Sequence, residues 1–242
     1  LPEAAMGQEL RELSYYNRML ATLASGKMRV NAISKEVGKP KDIVVPYMNT
    51  LMSIGVVKKE NPVTEKTNRK KTRYSIISTY DLFWYKYIVP NMHLYYKGDY
   101  ETLINEYIKP NIMEFEQAVF ISMCREYLLH ENGKPNLPFT ISEIGNWWEN
   151  DEEKKTTDGF DLVAIGETDG DDAMMFARCY YEEEPVGIAT LKELIELTKH
   201  VKDKSNSFYL IFSKSGFQEN TKTVAATIKN IMLISLDELC AN

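Results

Sequence analysis

Residues 159–187 read GFDLVAIGETDGDDAMMFARCYYEEEPVG, and this stretch decides the fold. Two apolar runs, Phe160–Ile165 and Ala173–Tyr181, flank a polar turn holding Gly166, Asp169, Gly170, Asp171 and Asp172. Short β-rich runs bounded by Gly and Asp predict a β-hairpin. Asp161 sits inside the first run, where an unpaired carboxylate is costly to bury. Either a metal ion or a salt bridge would justify it.

Around this hairpin the pattern alternates between helix and strand. Helical spacing predicts a helix over Met113–Leu129, with Phe115, Val119, Phe120, Met123 and Tyr127 on its buried side. A strand at Thr140–Trp148 precedes the hairpin. Beyond it follow a helix at Ala189–Val201, a wholly apolar strand at Phe208–Phe212, a helix at Gln218–Lys229 and a last strand at Ile231–Leu236. A fully apolar strand is buried on both faces. The order α-β-β-β-α-β-α-β implies a mixed, twisted sheet flanked by helices.

Towards the N-terminus, Leu10, Leu13, Tyr16, Leu20 and Leu23 mark one face of a helix over Gly7–Ala24, closed by Gly26. Val30–Val37 reads as a second helix stopped by Gly38. A third runs from Pro40 to Ile54, with Pro46 expected to kink it or move its start. Strand-like Val56–Glu60 and Arg73–Ile77 follow, joined by a polar loop over Asn61–Thr72. Three short helices and a β-hairpin make a winged helix-turn-helix, with the loop as its wing. Between Lys58 and Arg73, seven cations stand against two acids, so this segment carries +5 and the remaining chain −11. Local positive charge of this kind suits phosphate contact; a solvated turn, or a docking domain, accounts for the same pattern. The chain thus divides into a winged-helix domain (1–79), a helical linker (80–110) and a second domain (111–242). In the linker, Phe83, Trp84, Tyr87 and Ile88 share a helical face. They suit core packing better than stacking on single-stranded nucleic acid. A helix over Tyr100–Ile108 is expected to stop before Pro110.

Composition excludes several classes. The 242 residues carry a net charge of −6, so the whole molecule is no generic polyanion binder. Three dispersed cysteines without a C-x-x-C pair suit a reducing cytoplasm and no thiolate zinc site. No apolar run reaches the length of a membrane span, and no signal peptide is evident. His93, His130 and His200 lack metal-ligand spacing. Cys179 suits a small buried residue better than a nucleophile. The sequence shows no evident internal repeat.

The element order resembles the PD-(D/E)XK restriction-endonuclease-like fold. In that family an acid on the second strand and a (D/E)-x-K triplet on the third hold magnesium and activate water, often with an acid from the first helix. More closely, the chain resembles the C-terminal part of archaeal-type AAA+ ATPases, also widespread in bacteria. These carry a winged helix and then a nuclease-like domain of unknown function. The matching residues are Thr72-Arg-Tyr-Ser-Ile76, Phe83-Trp-Tyr85, Val89-Pro90, Phe115-Glu116, Glu143-Ile-Gly-Asn-Trp-Trp148, Phe160-Asp-Leu-Val-Ala164, Pro185-Val-Gly187 and Ser213-Lys-Ser-Gly-Phe217. The resemblance assigns a site to Glu116, Asp161, Arg178 and Tyr180. However, Arg178-Cys179-Tyr180 replaces the family's Glu-Cys-Lys. An arginine there repels magnesium and supplies a salt-bridge partner for Asp161, so the site reads as degenerate. Glu182, Glu183 and Glu184 lie past the triplet and suit a solvated face. No G-x-x-x-x-G-K-[ST] occurs, so this chain has no P-loop and is expected to be a piece or stand-alone relative of such an ATPase.

The expectation is therefore a cytoplasmic DNA-binding module of α+β class, not an enzyme in itself. Phosphates would be held by Lys39, Lys41, Asn49, Lys66, Arg69, Lys70, Lys71 and Arg73. No cofactor is expected, apart from magnesium if nuclease activity survives and ATP through a separate P-loop domain. The expected partners are double-stranded DNA and a P-loop ATPase domain in cis or in trans, with self-association open and no membrane. The alternatives are a protein-interaction scaffold and a residual magnesium-dependent nuclease using Glu116 and Asp161.

Overall fold

The computed structural model describes residues 2–151, 156–201 and 206–241. It divides into two compact units. One is Leu1–Asn61 with Thr67–Ile112, the other Pro62–Lys66 with Met113–Asn242.

In the first unit, α1 (Pro2–Ala24), α2 (Val30–Val37) and α3 (Lys41–Ser53) are followed by β1 (Val57–Glu60) and β2 (Arg73–Ile76). The strands are antiparallel, with Val57 opposite Ile76 and Glu60 opposite Arg73. Apolar residues at helical spacing build one core: Met19, Leu20 and Leu23 of α1, Ile33 and Val37 of α2, and Val44, Met48 and Leu51 of α3, closed by Val57 and Tyr74. Leu13, expected on the buried face of α1, is exposed; the side chain of Leu10 lies outside the described residues. Pro40 caps α3 from outside, and the helix runs through Pro46 instead of starting after it.

The loop between β1 and β2 departs from the expected free wing. Pro62–Lys66 belongs to the second unit, where Val63 is buried and its N–H donates to the carbonyl of Asn146 (2.9 Å). Arg69–Lys71 then forms a 3₁₀ turn, capped by Asn68, whose side chain accepts the Lys70 N–H at 3.1 Å.

Beyond β2 the chain is helical, and here the structure exposes a repeat absent from the reading of the sequence. Tyr87-Ile-Val-Pro-Asn91 and Tyr107-Ile-Lys-Pro-Asn111 adopt the same geometry. A short helix, α4 (Thr79–Phe83) or α6 (Tyr100–Thr102), widens into a π turn and tightens into a 3₁₀ turn with proline second and asparagine third. Each asparagine returns its side-chain amide to the tyrosine carbonyl four residues back, at 2.9 Å from Asn91 and 3.2 Å from Asn111. A π turn widens the helix where the proline N cannot donate. Pro110 therefore does not end the helical run, which continues into α7 (Ile112–Glu131); α5 (Met92–Lys97) lies between the two copies. Of the aromatic stripe, Tyr87 and Ile88 are buried and Phe83 and Trp84 half-buried, while Tyr80 and Tyr96 are exposed.

The second unit is a sheet in the order β3 (Thr140–Asp151), β4 (Thr156–Thr168), β5 (Asp171–Tyr180), β6 (Asn206–Ser213), β7 (Ile231–Ser235). The first three strands form an antiparallel meander, and β5, β6 and β7 run parallel. Helices α8 (Ile188–Leu197), α9 (Glu219–Thr227) and α10 (Leu236–Cys240) complete it. Period-two alternation assigns the faces. Leu162, Ala164, Met175, Ala177, Leu210 and Phe212 pack with Phe120, Cys124 and Leu128 of α7. Val163, Met174, Phe176 and Ile211 face the other way, with Leu191 and Leu194 of α8 and Ala225 of α9. The buried stripe of α7 is thus Phe120–Cys124–Leu128, and Met123 is exposed.

The β4–β5 hairpin turns on Asp169 (φ 52°) and Gly170 (φ 87°), two left-handed residues between the paired Thr168 and Asp171. Two such residues match the right-handed twist of the strands. Two glycines of this hairpin separate two physical demands. A Cβ at Gly170 meets nothing within 4 Å, so only backbone conformation opposes it. A Cβ at Gly166 would strike the Thr140 carbonyl oxygen and the Phe139 ring. We expect Gly170→Ala to cost about 1 kcal/mol. Gly166→Ala should cost more, about 2 kcal/mol or above. Both are read from denaturation midpoints.

Candidate functional site

Backbone pairing between β4 and β5 stops at Leu162 opposite Ala177. Past that point the β4-facing edge of β5 finds side-chain partners instead. The Asp161 carboxylate accepts the Cys179 N–H at 2.8 Å. Gln117 of α7 donates its amide to the Cys179 carbonyl at 2.7 Å and accepts the Tyr181 N–H at 3.0 Å. On the other side of β4, Asn146 at the bulge of β3 donates to the Asp161 carbonyl at 2.5 Å. Among the described residues the direct partner of Asp161 is an amide hydrogen bond and not an ion pair. Arg178 makes no ion pair with it among the described residues and acts on it at longer range.

Electrostatics within this fork are set by burial. It raises the Asp161 carboxyl above the usual aspartate range, against the lowering effects of the Cys179 N–H and then of Arg178. Burial likewise pushes up the Tyr180 phenol and the Cys179 thiol; the latter also sits against Cys124. Tyr180 is therefore a neutral phenol, and Cys179 is unactivated. Glu116, half-buried on α7, acts electrostatically on Lys214, whose ammonium bonds Glu183 at 2.6 Å and lies 4.4 Å from the centre of the Tyr181 ring. Glu182, Glu183 and Glu184 are exposed.

A hard divalent cation needs several free oxygen donors. Here one carboxylate is committed to an amide and the neighbouring triplet supplies a guanidinium, so the donor set does not fit magnesium. Among the described residues, no group of three or more His, Cys, Asp or Glu side chains is placed to hold a metal.

The eight expected phosphate contacts fall on several elements. Lys66 bonds Glu143 at 2.5 Å in the second unit. Lys39 lies 4.9 Å above the Tyr15 ring, and Lys41 and Asn49 are exposed on α3. Arg69 and Lys70 are exposed on their 3₁₀ turn and, with Arg29 and Lys59, line an open cavity of about 630 Å³ in the first unit. Lys71 is half-buried on the same turn. Arg73 is half-buried and lowered to about 10, first by burial and then by the charge of Arg29, while Glu60 opposes the shift. Arg29 and Lys59 were missed as site residues because one precedes α2 and the other sits mid-strand; only the fold brings them together.

Two substitutions discriminate a clasp from a metal ligand. Asp161→Asn keeps an oxygen for the Cys179 N–H, whereas Asp161→Ala leaves that amide unpaired and should cost about 1–3 kcal/mol. The folded protein holds the Asp161 proton more tightly than the unfolded chain, so wild-type stability falls as pH rises from the ordinary aspartate range through the raised pKa. The advantage of Asp161→Asn over wild type should widen across that window and stay level above it, as measured by urea unfolding at a series of pH values. An Asp161→Asn less stable than wild type at neutral pH would sink this account.

Residues 84–194 match the DUF234 family model, described as archaea bacterial proteins of unknown function. An uncharacterized protein of Methanocaldococcus jannaschii is 25% identical over 88% of this chain, which spans 50% of that protein. Among solved structures, a protein from Vibrio cholerae is similar over 95% of this chain and 48% of its own (13% identity, TM-score 0.37). A protein of unknown function is similar over 50% and 63% (20%, 0.34). The DNA modification-dependent restriction endonuclease AspBHI is similar over 55% and 30% (15%, 0.28). Scores of this size do not establish a shared fold.

Proposed function

We propose that this chain is a nucleic-acid-binding module, a winged helix joined to a nuclease-like unit whose metal site has been lost, serving a P-loop ATPase domain in cis or in trans. One observation carries the binding part. In a chain of net charge −6, Arg29, Lys59, Arg69 and Lys70 converge on one surface, and none forms an ion pair among the described residues. Concentrated, uncompensated positive charge is the feature that phosphate neutralisation requires. The order α1-α2-α3-β1-β2 supports the winged-helix reading. The donor set of the fork supports a unit that no longer cleaves. Association with an ATPase rests on the resemblance of the motifs.

Contact to the backbone predicts binding that is steep in salt and weak in sequence preference. With a fluorescently labelled duplex, anisotropy should show affinity falling as salt rises. Arg69→Ala with Lys70→Ala should weaken binding and reduce the log–log salt slope by about 2, roughly 1 per lost phosphate contact. An unchanged slope, or no wild-type binding at low salt, would remove this function. In the same assay, magnesium should not yield cleavage.

A further inference from the structure

We infer that the cavity between the start of α2 and the β1–β2 hairpin is a binding site for a single nucleotide unit, its phosphate held by Arg29, Lys59, Arg69 and Lys70 and its nucleoside lying on Val30, Val45 and Tyr74. This deepens the nucleic-acid reading and rests on it for the choice of a nucleotide. Four features carry it.

The first is size: about 630 Å³ lies within the range of small-molecule sites and exceeds what a lone phosphate fills. The second is uncompensated charge. The four cations have no ionic partner among the described residues, and the charge of Arg29 already helps to lower Arg73 beside them. The acid acting on Arg73, Glu60, is itself engaged by Lys58 at 2.7 Å and by the Ser75 hydroxyl at 2.8 Å. The third is the mouth of α2. Arg29 occupies the N-cap without a side-chain cap, so the positive end of that helix opens among the cations. The fourth is preorganisation. The Asn68 cap fixes the turn that presents Arg69 and Lys70. Asn61 donates to the Asn68 carbonyl at 3.3 Å and accepts the Thr72 hydroxyl at 2.9 Å. A turn held before binding loses little entropy on binding. The apolar floor of Val30, Val45 and Tyr74 is then what distinguishes a nucleotide from an inorganic anion.

The same chemistry is presented by the phosphorylated end of a nucleic-acid chain and by a free nucleotide. Thermal unfolding of the full chain at constant ionic strength, with inorganic phosphate or adenosine 5′-monophosphate replacing chloride, tests the site. The two ligands are then competed against a labelled duplex with and without a 5′-phosphate. We expect both to raise the midpoint, with the nucleotide binding at least tenfold tighter than phosphate. Arg29→Gln and Lys59→Gln, both exposed positions, should abolish the shift while leaving the midpoint in chloride within a degree or two. A chain-end ligand makes the 5′-phosphorylated duplex bind about tenfold tighter; a free nucleotide displaces neither duplex more than the other. Nucleotide binding without duplex binding at any salt retains the site and removes the nucleic-acid function. Duplex binding that Arg29→Gln and Lys59→Gln leave intact, with no midpoint shift from either small ligand, overturns the site and retains that function. Equal affinity for phosphate and nucleotide overturns the nucleoside half of the inference.

Discussion

Backbone groups near a sheet interior must be paired, and beyond Ala177 the inner edge of β5 has no strand to pair with. Asp161 and Gln117 supply the missing donor and acceptors from two different elements. This one requirement links α7, β4 and β5, and the Asn146 side chain ties β3 to the same point. It also explains why a carboxylate persists in an apolar strand without a counterion. Burial of the group is opposed, though not outweighed, by a charge-assisted hydrogen bond and by distant positive charge. The fork is thus closed by side-chain hydrogen bonds from two elements.

The opposite electrostatic situation holds in the first unit. There, cations are gathered without acids to match, on a surface made by a helix start, a strand and a short turn. Proteins seldom concentrate like charge without use, since mutual repulsion weakens the fold.

Most of the architecture was legible from the sequence. The apolar runs of residues 160–165 and 173–181, an Asp-Gly turn and an apolar Phe208–Phe212 are strong local signals, and the order of elements along this part of the chain follows from them. The boundaries of α2 were legible because Gly38 adopts a left-handed conformation there (φ 69°). What escaped was non-local. The pairing of Gln117 with Cys179 and Tyr181 spans more than sixty residues and leaves no spacing pattern. Arg29 joins Arg69 only through the turn of the hairpin. Pro110 misled because a proline normally ends a helix, whereas here the preceding turn has widened to admit it. Val63 was read as part of a solvated loop because its neighbours are polar. Its burial depends on Gly145, where a Cβ would lie 2.9 Å from that of Val63.

The closed fork also bears on how relatives of this chain should vary. Carboxylate charge strengthens the hold on a hard divalent cation, so a working nuclease is expected to keep Asp or Glu at the position of Asp161. A clasp needs one acceptor atom at the right distance, which an amide provides equally well. Lineages that keep the clasp are free to drift between acid and amide there, while the glutamine on α7, which must donate and accept at once, has no such substitute. Selection would therefore fall more heavily on a residue that the catalytic signature ignores than on the one it is built around.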